Sequence, residues 1–176
     1  MGLRDVVNGW GSTPAERATP LACDAIAPDA TSVLVRAVNV AAPPGTVYRW
    51  LCQLREAPYS YDWIDNFGRR SPRELTPGAD ELEVGQRMVA TFRLAHFEPG
   101  RSITIESRGL LGHVVATYLV TERPEGGSRL VLRFAWRPPR LPLVRPLLSV
   151  GDLVMARRQL LNLKALAERS AHGTGA

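Results

Sequence analysis

The chain has 176 residues, of which 45% are hydrophobic and 22% are charged, and its net charge is +5. This length suits one domain with its own core, and this composition excludes wholesale disorder and a fibrous architecture. Apart from Lys164 the basic residues are all arginines, and they are interleaved with 17 acids, so we expect no nucleic-acid footprint.

Residues 1–30 predict an irregular N-terminal arm. They are rich in Ala, Pro, Thr and Asp, and they show no sustained period. We expect the arm to pack over the domain with Trp10 as its anchor. Arg4, Asp5 and Asn8 interrupt the apolar stretch that a signal peptide needs. No export signal is therefore expected, and the cytoplasm is the predicted location.

A strand and a short helix are predicted next. The run TSVLVRAVNV, from Thr31 to Val40, is rich in β-branched residues, and two prolines follow it. Beyond them, apolar side chains recur at the helical spacing i, i+3, i+4 and i+7. These side chains are Val47, Trp50, Leu51 and Leu54.

A second short helix is predicted to begin near Ser60, whose side chain is suited to cap it. Asp62 would lie near the positive end of the helix dipole. Trp63 and Phe67 are spaced to stack at i, i+4, and the glycine that follows ends the helix.

A series of strands follows a polar connection from 69 to 85. Residues 86–97 predict a strand in which every second side chain faces inward. These side chains are Met88, Ala90, Phe92, Leu94 and His96. Pro99 and Gly100 then have the order of a type II turn. Two more strands are predicted at 101–108 and 113–122.

The segment 128–137 shows the clearest alternation in the chain. One face carries the apolar residues Leu130, Leu132, Phe134 and Trp136. The other face carries the arginines Arg129, Arg133 and Arg137. This pattern predicts a sheet with one dry face and one wet face.

The C-terminal part predicts a loop and one long helix. Prolines make 138–146 a crossing loop, and the helix is predicted from Leu147 to Ser170. Its broad apolar stripe comprises Leu153, Leu160, Leu163 and Ala167, with Val154, Leu161 and Ala165 beside them. The element order predicts an α+β domain at 31–170, with this helix against the dry face and a flexible tail at 171–176.

Five stretches of the sequence carry a resemblance to a known superfamily. They are WGSTPAE (10–16), AAPPGTVYRWL (41–51), YSYDWIDNFGRR (59–70), LEVGQRM (82–88) and FEPGRSITI (97–105). Together with the element order, they resemble the helix-grip or START-like superfamily, also called SRPBCC. It includes polyketide cyclases and lipid-transfer domains, and the resemblance is closest to bacterial members labelled polyketide cyclase/dehydrase.

The resemblance implies a curved sheet around the last helix, with a cavity for hydrophobic or amphipathic ligands and the two short helices at its entrance. The aromatic residues expected at the entrance are Trp50, Tyr59, Tyr61, Trp63 and Phe67. The ligand-binding side chains expected on the strands are Phe92, His96, Tyr118, Phe134 and Trp136. Burial in the core, worth about 1.5 to 3 kcal/mol for a large side chain, explains the same aromatic residues without a ligand.

Two residues are candidates for proton transfer if the cavity hosts a reaction. His96 shares a strand face with Phe92 and is predicted to point inward, where an imidazole can act as an acid or base. Tyr118 lies on the more apolar face of its strand and is the second candidate. His113, on the opposite face of that strand, is predicted to point outward.

Charged residues near the second helix have a structural explanation as well as a functional one. Asp62 and Asp65 are three residues apart like a carboxylate pair, although the helix dipole alone explains Asp62. Arg69 and Arg70 have the chemistry to bind a ligand carboxylate, but a solvated arginine pair is the favoured explanation.

No metal or cofactor is predicted. The three histidines and the cysteines Cys23 and Cys52 lack the spacing of a metal site, and two cysteines do not make a disulfide framework. No nucleotide-binding loop or nucleophile elbow is present in the sequence. The longest uncharged apolar run, from Gly109 to Thr121, is shorter than the ~20 residues of a membrane-spanning helix.

Three functions are compatible with these patterns. The first is binding of a small hydrophobic or amphipathic ligand, either a lipid or a polyketide-like molecule, between the sheet and the last helix. The second is an enzyme of cyclase, aromatase or dehydratase type acting on a polyketide-like substrate. The third is an interaction protein that uses the arginine-rich outer face. The sequence does not indicate an oligomeric state.

Overall fold

A computed structural model describes residues 9–66, 68–89, 91–109, 112–137 and 144–173, and it describes their side chains except those of 144–153. Phe67, Ala90 and residues 138–143 of the predicted loop lie outside the described residues. The same holds for residues 1–8 and 174–176. The loop was predicted to extend to 146, and this bound is wrong, because the long C-terminal helix already begins at Val144.

The described elements follow the predicted order. The helices are α1 (Pro14–Ala18), α2 (Ala22–Ile26), α3 (Pro44–Cys52), α4 (Asp62–Asp65) and α5 (Val144–Gly173), with a 3₁₀ turn at Gln53–Arg55. The strands are β1 (Ser32–Val40), β2 (Arg93–Glu98), β3 (Ser102–Gly109), β4 (Gly112–Glu122) and β5 (Ser128–Arg137). The predicted α+β class is confirmed.

The five strands form one antiparallel sheet in the order β1-β5-β4-β3-β2. Consecutive strands from β2 to β5 are neighbours, and β1 closes the series beside β5 at one edge. The turn between β2 and β3 is formed as predicted, because the Arg101 amide donates to the Glu98 carbonyl at 3.0 Å and Gly100 has a φ of +74°.

The inner face of the sheet is the face that α5 covers. In the middle of this face, Leu132 lies opposite Tyr118 on one side and Arg36 on the other. The Tyr118 hydroxyl donates to Gln159 of α5. Helix α5 buries Leu160 and Leu163 against the same core. Its stripe is narrower than predicted, because the flanking Val154, Leu161 and Ala165 are exposed.

The two short helices after β1 differ in how well the sequence predicts them. Helix α3 buries the predicted side chains of Val47, Trp50 and Leu51. Helix α4 is only four residues long, and Tyr61 rather than Ser60 is its N-cap, without a side-chain capping bond. The predicted cap at Ser60 is therefore wrong.

The prediction of one long strand at 86–97 is also wrong. The Phe92 amide donates to the Val89 carbonyl at 3.0 Å, which is a turn contact and not a strand pairing, and β2 starts only at Arg93. Within β2 the register then shifts between Leu94 and His96. This bulge puts His96 on the face opposite Leu94, because one extra residue reverses the alternation of side chains.

The N-terminal arm covers the outer face of the sheet and is not irregular. Its helices α1 and α2 lie over β4 and β5, where Cys23 and Ala27 are buried with Val115 and Ala135. The Cys23 amide donates to the Thr117 hydroxyl at 3.0 Å. The prediction of a wet outer face is therefore wrong, since the arm buries a second, smaller core there.

The arm docks to the sheet edge through a close backbone contact. The Ala37 amide of β1 donates to the Trp10 carbonyl at 3.1 Å. Gly11 has a φ of +71°, and a Cβ at this position would lie 2.1 Å from the Ala37 carbonyl oxygen. Only glycine allows this approach.

Ion pairs between the arm and β5 neutralise the predicted arginine-rich face. Glu16 pairs with Arg129, with Nε and Oε1 2.7 Å apart, and Asp24 pairs with Arg133, with Nε and Oδ2 2.8 Å apart. Arg137 pairs with Asp29. Burial by itself would raise the pKa of Glu16, but hydrogen bonds from Arg129 and Thr13 outweigh this effect and lower it.

Candidate ligand-binding site

The burial of the inner face changes along the sheet. At the end near the C-terminal half of α5, Val38, Leu130 and Val120 form a row of paired residues, and all are buried. The next row, through Leu132 and Tyr118, is buried as well. This end of the interior is closely packed.

Toward the opposite end of the inner face, three apolar side chains are incompletely buried. Phe134 and Val114 point to the same side as Leu132 and are only half-buried, although Leu34, Ala116 and Trp136 around them are buried. Phe92, just before β2, is also half-buried and packs against the same core. Phe134, Val114 and Phe92 therefore each keep some apolar surface in contact with solvent.

Polar side chains of α5 fix the position of the loop before α4. The Tyr118 hydroxyl donates to Gln159 Oε1 at 2.7 Å, and Gln159 Nε2 donates to the Pro58 carbonyl at 2.7 Å. Asn162 Nδ2 donates to the Tyr59 carbonyl at 2.9 Å. Sheet, long helix and loop are therefore joined by one hydrogen-bonded network.

Arg36 is a buried polar residue that the sequence reasoning missed. It pairs across the sheet with Leu132, so its side chain belongs to the inner face, and it is fully buried. One guanidinium nitrogen donates to the Val35 carbonyl at 3.2 Å. The sequence did contain a signal for this residue. Arg36 is a charged residue in the middle of the apolar run TSVLVRAVNV, and the alternation of a strand places it on the same face as Leu34 and Val38.

The predicted entrance residues fall into two groups. Trp50 and Tyr59 are core residues, with ring centroids 6.0 Å apart in an edge-to-face contact, and the Trp50 indole donates to the Ser170 hydroxyl. Burial raises the pKa of Tyr59. Tyr61 is half-buried beneath Arg158, while Trp63 is 75% exposed. Phe67 lies outside the described residues.

The strand residues predicted to bind ligand also fall into two groups, one on the inner face of the sheet and one on the outer face. Phe134 and Trp136 share the inner face, half-buried and buried respectively, and Tyr118 is buried in the middle of this face. His96 is exposed, so its predicted inward orientation is wrong, and the cause is the bulge in β2. His113 faces outward as predicted, with Nε2 3.2 Å from Glu106 Oε2.

The charged residues around α4 do not form a carboxylate pair. Asp62 accepts hydrogen bonds from the Ser71 amide at 2.9 Å and from its hydroxyl at 2.5 Å. Asp65 is half-buried, and this burial raises its pKa. Arg69 and Arg70 are exposed at the end of the same loop.

Within the described ranges, no group of three His, Cys, Asp or Glu side chains is arranged to hold a metal ion. Both cysteines are buried as free thiols, and burial raises the pKa of Cys52 to about 12. None of the helices in the described part of the chain has the length and apolar character needed to cross a membrane.

Comparison with known proteins supports the fold. No family model and no curated protein matches this chain. Among solved structures, the di-domain ARO/CYC StfQ from the steffimycin biosynthetic pathway matches with a TM-score of 0.53 and 18% identity. The match covers 84% of this chain and 54% of StfQ, so this chain spans about half of that protein.

Two structures of bacterial proteins match along nearly their whole length. A protein from Mesorhizobium loti has a TM-score of 0.51 and 17% identity, covering 78% of this chain and 97% of its own. A protein from Mycobacterium smegmatis has a TM-score of 0.51 and 14% identity, covering 76% and 89%. With the five-stranded antiparallel sheet and the long C-terminal helix, these matches show that the predicted helix-grip fold is present.

Proposed function

Because the chain has the helix-grip fold, we propose that it binds a small hydrophobic or amphipathic molecule between the sheet and α5. The lipid-like or polyketide-like ligand lies at the end of the inner face where Phe134 and Val114 are half-buried. The observation that carries this proposal is the incomplete burial of Phe134 and Val114, two apolar side chains on a face whose neighbouring side chains Leu34, Ala116 and Trp136 are buried. Apolar surface of this kind is what an apolar ligand would cover.

Ligand size supplies a quantitative test. Each buried methylene contributes about 0.8 kcal/mol, so affinity in a series of fatty acids should rise about fourfold per added methylene until the available space is filled. A ligand at a hundred times its Kd stabilises the folded state by about 2.7 kcal/mol, which raises the Tm of a chain of this size by roughly 5 to 10 °C.

Two substitutions on opposite faces of the sheet make the test specific. Phe134→Ser changes the inner face, and Leu119→Ser changes a half-buried apolar residue on the outer face. Both variants are first shown to be folded by circular dichroism. We expect the Phe134 variant to lose the ligand-induced rise in Tm and the Leu119 variant to keep it. The proposal is contradicted if both variants lose the ligand-induced rise in Tm equally. It is also contradicted if fatty acids, sterols and aromatic polyketides do not raise the Tm of the unmodified protein.

A cyclase-type reaction in the same space is the second candidate, and the likeness in fold to the ARO/CYC StfQ favours it. Its proton donor would be Tyr118, because the other candidate, His96, is exposed on the opposite face. The Tyr118 hydroxyl donates to Gln159, so this role requires that the bond to Gln159 break when substrate binds. With a bound polyketide-like substrate identified, Tyr118→Phe should retain binding and abolish conversion. Full turnover by this variant contradicts the catalytic role.

A further inference from the structure

Exposed apolar side chains lie on α4 and on the part of α5 that contacts the N-cap residue of α4; we call them the apolar patch. Trp63 and Ile64 on α4 are 75% and 50% exposed, and Val154 and Leu161 on α5 are 48% and 36% exposed. The contact is made by Arg158 of α5, whose guanidinium carbon lies 5.8 Å from the centre of the ring of Tyr61, the N-cap residue. Large exposed apolar side chains gathered in this way mark an interaction surface more often than isolated ones do.

Helix periodicity places the α5 part of the patch on one side of that helix. Val154, Arg158 and Leu161 are spaced at i, i+4 and i+7, so they form one exposed stripe. Asn162 on the neighbouring turn holds the Tyr59 carbonyl. The loop that leads into α4 is therefore held against this part of α5, and Trp63 follows two residues after the Tyr61 that contacts Arg158.

The patch is surrounded by arginines. Arg69 and Arg70 are exposed at the end of the α4 loop, and this loop is compact because the Gly68 amide donates to the Asp62 carbonyl at 2.8 Å. Arg158 is exposed on α5. The neighbouring Arg157 does not belong to this rim, because its guanidinium carbon lies 5.3 Å from the centre of the Trp10 ring of the N-terminal arm. None of Arg69, Arg70 and Arg158 forms an ion pair with a described residue, in contrast to the arginines of β5.

Arginines outnumber acidic side chains in this region. No Asp or Glu occurs in the sequence from Val154 to Ala165. On α4, Asp62 and Asp65 are both half-buried, and Asp62 accepts two hydrogen bonds from Ser71. The patch thus combines exposed apolar side chains with a rim in which three exposed arginines, Arg69, Arg70 and Arg158, stand against two half-buried acids.

We propose that this patch docks the protein on an anionic lipid surface, with Trp63 and Ile64 entering the interface and the arginines contacting lipid phosphates. Tryptophan suits the boundary between headgroups and acyl chains, and basic residues add attraction to anionic lipids. A second copy of the chain is a poor occupant, since a symmetric contact would bring the two sets of arginines together. The proposal does not depend on the ligand between sheet and helix.

Vesicle co-sedimentation tests the docking. We expect binding to vesicles of equal parts phosphatidylcholine and phosphatidylglycerol, and little binding to phosphatidylcholine alone. Arg69→Gln with Arg70→Gln should weaken binding about fivefold for each charge removed. Trp63→Ser with Ile64→Ser should weaken it at least tenfold.

Matched controls keep the result specific. Arg101→Gln with Arg123→Gln removes the same charge from turns next to the far end of the sheet, and Val33→Ser with Val84→Ser removes exposed apolar residues elsewhere. Both control variants should bind like the unmodified protein. All substituted residues lie at the surface, and thermal melts verify that each variant is folded.

Three outcomes would overturn the proposal. One is equal binding to neutral and anionic vesicles, and another is loss of binding in the control variants to the same degree as in the patch variants. The third is binding to a single-stranded oligonucleotide or an acidic protein without binding to vesicles, which would assign the patch to a different class of partner.

Discussion

At the scale of single residues, Gln159 connects three parts of the fold. Its side-chain oxygen accepts from Tyr118 of β4, and its nitrogen donates to the Pro58 carbonyl. Gln159 and Tyr118 are both buried. A buried polar group that loses its partner costs about 1 to 3 kcal/mol, so this network fixes the helix and the loop relative to the sheet.

We predict that Gln159→Met lowers the free energy of unfolding by about 2 to 4 kcal/mol, because it removes the partners of two buried groups while keeping side-chain volume. Urea denaturation of this variant, Tyr118→Phe and the double variant measures the coupling. The double variant should lose less than the sum of the single losses. Additive losses would contradict a shared network.

Individual residues also explain why some candidates were misplaced from the sequence. Alternation assigned His96 to the inner face, but a bulge is invisible to a strict period of two, and it reverses every later side chain. Arg36 was overlooked because a strand of β-branched residues was interpreted as uniformly apolar. Arg36 lies two residues from both Leu34 and Val38, and this spacing was sufficient to place its side chain on the inner face of the sheet.

At the scale of elements, the N-terminal arm is the largest departure from the sequence prediction. Thr13 and Glu16 form a capping box, in which the Thr13 amide donates to Glu16 Oε2 at 2.7 Å and the Glu16 amide donates to Thr13 Oγ1 at 3.2 Å. This T-x-x-E spacing was readable in the sequence. The pairing of the arm with β5 was not, because it joins residues more than a hundred positions apart.

Because the docked arm keeps Cys23 buried, we predict that its thiol reacts slowly with labelling reagents. This residue of α2 is buried against Val115 and Ala135 of the sheet, so a reagent reaches its thiol only when the arm opens. Asp24→Asn leaves Arg133 without its ionic partner, and we expect about tenfold faster labelling of Cys23. The measurement uses a Cys52→Ala background at constant pH.

The control for this experiment is Glu125→Gln, which breaks the exposed pair with Arg123. An exposed pair contributes about 0 to 1 kcal/mol, and this one lies in a turn rather than in the arm. Labelling of Cys23 should therefore stay unchanged. Equal labelling in all three proteins would show that the ion pair does not hold the arm.

Helices and strands with long, regular patterns were predicted well. The alternation in β5 and the spacing of Leu160, Leu163 and Ala167 in α5 predicted the correct elements, because these apolar side chains recur on one face of each element and are buried there. Short elements were predicted poorly. Helix α4 has only four residues, and its end depends on local hydrogen bonds such as that from Ser71 to Asp62, which periodicity cannot report.

At the scale of the whole molecule, the sheet is covered on both faces and the two covers differ. The arm closes the outer face with a small core and ion pairs. Helix α5 covers the inner face, which is closely packed at Leu130 and half-buried at Phe134. The fold could be predicted from element order, but this difference along the inner face depends on how side chains from separate elements meet.

The central claim is that the incompletely covered part of the inner face takes up an apolar molecule. Native mass spectrometry of the purified protein, followed by denaturing extraction, tests it most directly. We predict a species heavier than the 19.3 kDa chain, which releases a hydrophobic compound on denaturation and is absent from the Phe134→Ser variant. A bare chain mass, both as purified and after incubation with fatty acids, sterols and aromatic polyketides, would contradict the claim.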